Sequence, residues 1–255
     1  MAILPSFRLD GQVAVVTGAG KGIGRGIALC LAEAGADLAL ASRNADDLKR
    51  VAAEVEALGR RALVVPTDVT VADQLEALGQ RCVTELGAPS IWVNNAGGLP
   101  DATPRYLTRT PEDRWDAQLD LNLKAAWMGA VTGAKLMGEG GTIINISSRT
   151  AIGPQKKNGP YAAAKAAINS LTQTLAAELA PAIRVNAVAP GPVSTQNFHE
   201  STGLSESDVA PSAGALGVPL GRIGAVEDIG AAVVFMASPA AGWITGQCLY
   251  VDGGM

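Results

Sequence analysis

Histidine is almost missing from this chain: His199 is the single one in 255 residues. A site that needs two imidazoles is therefore excluded, and a Ser-His-Asp triad is improbable. Cysteine is sparse as well. Cys30, Cys82 and Cys248 lie far apart and show no metal-ligand spacing, so they read as free thiols in a reducing compartment, and no metal site is expected. There is no basic stripe or arm: the formal net charge is −4 with both signs scattered, which argues against nucleic acid as a partner. The first residues, MAILPSFRLDGQVAVVTG, lack a basic region followed by a long apolar core, so no secretory signal is expected. The longest uncharged run, Ile229 to Val251, has the length of a membrane span. Pro239 interrupts it, and Ser238, Thr245 and Gln247 add polarity, so it reads as a buried helix, a turn and a buried strand. The expectation is a soluble, cytoplasmic protein with no membrane partner.

Apolar residues, at 48% of the chain, are enough to bury one large core. Short β-rich runs alternate with helical stretches, which predicts an α/β fold with a doubly wound parallel sheet. The predicted strands are Val13–Thr17, Leu38–Ala41, Ala62–Pro66, Ile91–Asn94, Thr142–Ser147, Arg184–Ala189 and Cys248–Val251. Most are continuous apolar runs, as strands covered on both faces should be. Helices are predicted at Gly24–Ala34, Ala45–Leu58, Val71–Leu86, Glu112–Met137, Tyr161–Ala180 and Val226–Ala237. No linker-like stretch divides residues 1–255, which are read as a single domain. One long segment, Gln196 to Val218, is rich in Ser, Gly, Glu and Asp and reads as a substrate lid.

The first strand runs directly into Thr17-Gly18-Ala19-Gly20-Lys21-Gly22-Ile23-Gly24, and a helix follows. Glycines allow a tight turn and close backbone approach to a pyrophosphate, while the helix N-terminus offers N–H donors and positive potential. Dinucleotide binding is the expectation. The end of the second strand selects the dinucleotide. A carboxylate there would hold the adenosine ribose and favour NAD. Ser42 stands in that place and Arg43 follows, a pair suited to the extra phosphate of NADP(H). Lys21 is a second candidate cation, although both charges could equally be ordinary surface residues.

Tyr161 and Lys165 sit at i,i+4 spacing, which puts phenol and ammonium on one helix face. A phenol loses its proton near pH ~10, and a neighbouring ammonium is expected to lower that value. Ser147 and Ser148 end the preceding strand, where ligands gather in open α/β sheets, and a hydroxyl there can steady a substrate oxygen. Taken with Asn94-Asn95-Ala96-Gly97, Pro190-Gly191-Pro192-Val193-Ser194-Thr195 and the closing Val251-Asp252-Gly253-Gly254, these motifs follow an order that resembles the short-chain dehydrogenase/reductase family, from Leu9 to the end of the chain.

The resemblance implies a Rossmann-type sheet of seven parallel strands with helices on both faces. It implies a catalytic set of Asn122, Ser148, Tyr161 and Lys165, with Ser148 preferred to Ser147 because it precedes Tyr161 by the family's thirteen residues. Asn122 would shape a water-linked proton path to Lys165; otherwise it is a helix-surface or kink residue. Asp68 and Val69 would meet adenine, unless Asp68 only caps the helix that begins near Thr70. Asn95, Ala96 and Gly97 would line the cofactor. Pro190, Gly191 and Val193 would hold the carboxamide end, Thr195 the phosphates, and Lys165 the nicotinamide ribose.

The expected substrate walls are Gly98–Tyr106, Arg149–Asn158 and the lid. Leu99, Tyr106, Ile152, Phe198, Gln155 and His199 make a mixture suited to a moderately apolar small-molecule ketone or alcohol, cyclic or steroid-like. Within the family the rival reading is a 3-oxoacyl-[acyl-carrier-protein] reductase, whose acidic partner calls for a basic patch. The stretches around Glu139 and Glu178 lack one. A rival of another class is a catalytically silent NADP-binding sensor, which has no chemical need for the four catalytic groups. The Ala- and Gly-rich helices at 112–137 and 161–180 also fit the homotetramer the family commonly forms, or simply the monomer's own core.

Overall fold

Residues 3–196, 198, 214 and 216–255 are described by the structure, a computed structural model. Seven parallel strands form one sheet: β1 (Val13–Thr17), β2 (Asp37–Ser42), β3 (Ala62–Pro66), β4 (Ile91–Asn94), β5 (Gly141–Ile146), β6 (Ile183–Pro190) and β7 (Cys248–Val251). Their spatial order is β3-β2-β1-β4-β5-β6-β7. The order reverses between β1 and β4, and this is where open α/β sheets bind ligands, beyond the carboxyl ends of the strands.

Alternation along β1 divides the core in two. Ala14 and Val16 face one hydrophobic layer, with Ile27 and Leu31 of α1 (Gly22–Ala34), Leu48 of α2 (Ala45–Ala57) and Ile229 of α7 (Val226–Ala237). Val13 and Val15 face the other, with Leu75 and Leu78 of α3 (Ala72–Glu85), Ala130 of α5 (Ala125–Leu136) and Leu175 of α6 (Gly159–Leu179). Both faces of the central strands are thus covered, which is why they read as continuous apolar runs. At the centre of the second layer Trp92 is fully buried, and a Cβ on Gly133 would meet its ring at 3.0 Å. The indole N–H donates to Asn94 Oδ1 (2.9 Å), Asn94 donates to Asn145 Oδ1 (2.9 Å), and Asn145 donates to Thr172 Oγ1 (2.9 Å). This polar chain pins β4, β5 and α6 in one register, and Asn94 is scaffolding.

The predicted strands all form, some a residue longer or shifted by one. The one substantial difference is the predicted helix at 112–137. It is divided into α4 (Glu112–Leu119), a π turn at Asp120–Lys124 and α5. The extra residue of a π turn rotates Asn122 inward, where it is 1% exposed and bonded to its neighbours. No helix among the described residues is long and apolar enough to cross a membrane. Of the expected lid, residues 197, 199–213 and 215, His199 among them, lie outside the described residues.

Candidate active site

The glycine turn connects β1 to α1 with left-handed backbone at Gly18 (φ 67°) and Gly22 (φ 55°). A Cβ on Gly18 would press on Asn95 and Ala96, and one on Gly24 would collide with the Gly18 carbonyl, so the turn closes only on glycine. Thr17 Oγ1 accepts the N–H groups of Asn95 and Ala96 (3.0 Å each), and Asn95 Nδ2 donates back to the Thr17 carbonyl (2.9 Å). These bonds lock the end of β4 against the turn at the switch point. No side chain caps the start of α1, where Lys21 is the N-cap residue, so the first N–H groups of Gly22, Ile23 and Gly24 are suited to an anion. Thr195 lies beside them, its Cγ2 3.5 Å from a Cβ built on Gly22. The Pro190–Thr195 segment is fixed by the Gly191 N–H donating to the Val251 carbonyl (3.0 Å) and by a bridge between Val193 and Gly224.

At the end of β2, Ser42 Oγ and Asp47 Cβ each stand 3.0 Å from a Cβ built on Gly20, and Lys21 and Arg43 are exposed with no ion pair among the described residues. Asp68 Oδ1 accepts the N–H and hydroxyl of Thr70 (3.0 and 2.7 Å), and these bonds, with a smaller effect of Arg43, hold its carboxyl below the usual range. Asp68 therefore closes a turn; the N-cap of α3 is Val71. Val69 is buried in the second core layer.

Beyond the turn, β5 ends at Ile146 and the two serines diverge. Ser147 Oγ is committed to the Lys165 carbonyl (3.1 Å) and Asn169 Oδ1 (2.7 Å). Ser148 Oγ accepts from Thr150 twice, from its N–H (3.1 Å) and its hydroxyl (2.9 Å), which leaves the serine's own proton to be donated towards the neighbouring Tyr161. Lys165 is 4% exposed; its Nζ donates to the Ile146 carbonyl (2.8 Å) and lies 5.7 Å from the Tyr161 ring centroid. Burial pushes its pKa down to about 8.

The expected lowering of the Tyr161 pKa is not what this structure gives. Burial raises it, and the Ser148 hydrogen bond opposes the rise only in part. Removing the phenolate from water is the dominant effect in so enclosed a place.

Gly97 bridges the remaining groups, since a Cβ there would sit 2.8 Å from Asn122 Oδ1 and 3.3 Å from Lys165 Nζ. Asn122 itself is fully occupied. Its Oδ1 accepts the Gly98 N–H (2.9 Å), and its Nδ2 donates to the Gly98 carbonyl (2.9 Å) and to Gln118. Thr150 and Gln118 are the positioning residues that sequence reading misses. Their only signals were a serine–threonine pair at i,i+2 and a glutamine one helical turn before Asn122. Tyr161 forms part of the wall of a cleft of about 320 Å³, with Leu99, Arg105, Gln118 and Lys157 among its neighbours.

The family model described as enoyl-(acyl carrier protein) reductase matches residues 18–255. A short-chain dehydrogenase/reductase of Aspergillus oryzae is 40% identical, covering 98% of this chain and 96% of its own. The 3-oxoacyl-[acyl-carrier-protein] reductase of Thermotoga maritima is 34% identical, covering 98% of this chain and 99% of its own. A solved 7α-hydroxysteroid dehydrogenase, complexed with NADH and 7-oxo glycochenodeoxycholic acid, superposes with a TM-score of 0.90 at 34% identity over 100% of this chain and 98% of that one. The chain thus belongs to the short-chain dehydrogenase/reductase family, and is an oxidoreductase that uses a nicotinamide cofactor and acts on small molecules.

Proposed function

We propose that this enzyme uses NADP(H) to interconvert a moderately apolar, cyclic or steroid-like ketone and its secondary alcohol, with Tyr161 as the proton donor and acceptor. The observation that carries the reading is the placing of Tyr161 in the wall of a cleft, with the buried Lys165 ammonium 5.7 Å from its ring centroid. When bound, the nicotinamide supplies or takes up the hydride.

In reduction, Ser148 would hold the carbonyl oxygen with a hydrogen bond from its hydroxyl, and Tyr161 would transfer its phenolic proton to that oxygen as negative charge develops there. The buried Lys165 ammonium steadies the resulting phenolate and holds the ribose. Asn122 keeps the Gly97–Gly98 backbone in place, so that a water-linked path can return a proton to Lys165. Oxidation uses the same groups in reverse. Gly18, Gly20, Gly22 and Gly24 give the pyrophosphate its close approach, with Thr195 alongside. Asp68 and Val69 flank the adenine, Asn95, Ala96 and Gly97 line the middle of the cofactor, and Pro190, Gly191 and Val193 meet the carboxamide. Ser42, Arg43 and Lys21 would receive the 2′-phosphate, an assignment supported by Ser42 standing at the end of β2 in place of an NAD-selecting carboxylate and by two exposed cations with no ion pair among the described residues.

Tyr161→Phe should retain NADPH binding, read by fluorescence, while ketone reduction falls by about 10²–10⁴-fold. Near-normal turnover would remove Tyr161 from this role. A second reading, reduction of 3-oxoacyl thioesters on an acyl carrier protein, is favoured by the Thermotoga relative. A panel of ketones, sugars and β-ketoacyl thioesters separates the two.

A further inference from the structure

The cleft that Tyr161 lines is unusually cationic for a chain of net charge −4. Arg105, Arg114, Lys156 and Lys157 line it, against the single carboxylate of Asp101. Asp101 is held ionised by hydrogen bonds from Thr103 and Arg105, and it is spent on the arginines, at 2.5 Å from Arg105 and 3.7 Å from Arg114. Neither lysine has a carboxylate partner among the described residues. The cleft therefore carries uncompensated positive charge on its lysine side.

The backbone that presents these lysines is built at a cost. Lys157 has φ 65°, the one left-handed non-glycine among the described residues. Glycine or asparagine would take that conformation more cheaply, so a lysine there points to a use for the side chain. The strained residue is held from across the cleft mouth: the Arg105 N–H donates to the Lys157 carbonyl (3.2 Å), and Arg105 pairs with Asn158 in a parallel bridge. This clasp joins the two loops that flank Tyr161. It sets the Lys157 ammonium 5.6 Å above the Tyr106 ring, with Lys156 beside it on the same wall.

We infer that the carbonyl substrate carries an anionic group, a carboxylate or a phosphate, that Lys156 and Lys157 hold at the cleft mouth while the carbonyl reaches Tyr161. The inference rests on the reading of Tyr161 as proton donor. A small anion is favoured over an acidic carrier protein because the lysines line a concave cleft rather than a flat face, and because the surface stretches around Glu139 and Glu178 are not basic.

Cyclic ketones that carry a carboxylate on side chains of increasing length, each paired with its methyl ester, test this in the NADPH-linked assay. At the length that spans from Tyr161 to the lysines, kcat/KM for the acid should exceed that for the ester by about tenfold or more, chiefly through a lower KM, and the gap should narrow with added salt. In Lys156→Gln combined with Lys157→Asn the ratio should fall towards one. Lys157→Gly, which suits φ 65°, repeats the test without backbone strain.

Acid and ester turned over equally at every length would overturn the anionic substrate while leaving Tyr161 in place, provided Tyr161→Phe abolishes both activities. A preference that survives removal of both lysines would also overturn it. So would a carrier-bound thioester reduced in preference to every free acid, which would assign the lysines to a macromolecular partner.

Discussion

Lys165 shows how a single residue's surroundings set its chemistry. Four residues after Tyr161 it reads as an ordinary helical lysine, yet burial lowers its pKa to about 8. In the free enzyme its charge is therefore present below that pH and lost above it. The value of kcat/KM for ketone reduction should fall as pH rises through about 8, and Lys165→Arg, if active, should lack that limb. The same shift has a sign for stability. Between about pH 8 and the ordinary lysine range the unfolded chain binds more protons than the folded one, so stability rises with pH there. Urea midpoints taken across that window should rise in the wild type, and Lys165→Met should flatten the rise. Ser42 is the corresponding residue in the cofactor choice proposed above. Ser42→Asp puts a carboxylate next to Gly20, and the ratio of Kd values for NADPH and NADH should move towards NADH by at least about tenfold. An unchanged ratio would remove Ser42 from the 2′-phosphate site.

Among the elements, α1 and α7 pack close together because glycine lies on each side of their contact. A Cβ on Gly26 would sit 2.6 Å from Val226 Cβ, and one on Gly230 would meet the Cys30 side chain. Gly26→Leu forces the helices apart and should destabilise the fold by about 1–3 kcal/mol, seen as a lower urea midpoint. α1 also carries the phosphate turn, so NADPH affinity should weaken in that variant too. The helix expected over 112–137 illustrates what periodicity conceals. Glu112 to Leu136 is helical almost throughout, but a period near 3.6 does not reveal one inserted residue. The π turn forms because Asn122 satisfies Gly98 and Gln118, partners 24 and 4 residues away.

For the whole molecule, assembly is the open property with the clearest surface features. Trp127 on α5 is 48% exposed, and Trp243, shortly before β7, is wholly exposed. Large aromatics in water are costly and are enriched at protein interfaces. A homotetramer built on α5, α6 and the β7 edge should sediment at about four times the monomer's 25.9 kDa, and Trp127→Glu should shift it to smaller species. A wild-type monomer at micromolar concentration would end that proposal.

The sequence by itself determined the sheet, its seven strands and the place of the phosphate turn. Strand runs covered on both faces and a glycine-rich strand–turn–helix are local patterns, readable within a dozen residues. It also marked Ser148, Tyr161 and Lys165, whose spacings lie along one chain segment. Only the tertiary structure decided which serine is free to donate, since Ser147 is taken by Lys165 and Asn169 while Ser148 is held by Thr150. It alone made burial outweigh the Ser148 hydrogen bond at Tyr161, and it alone brought the Arg105 N–H to the Lys157 carbonyl. Desolvation and long-range hydrogen bonds depend on what surrounds a residue in space, and no spacing along the chain encodes that directly.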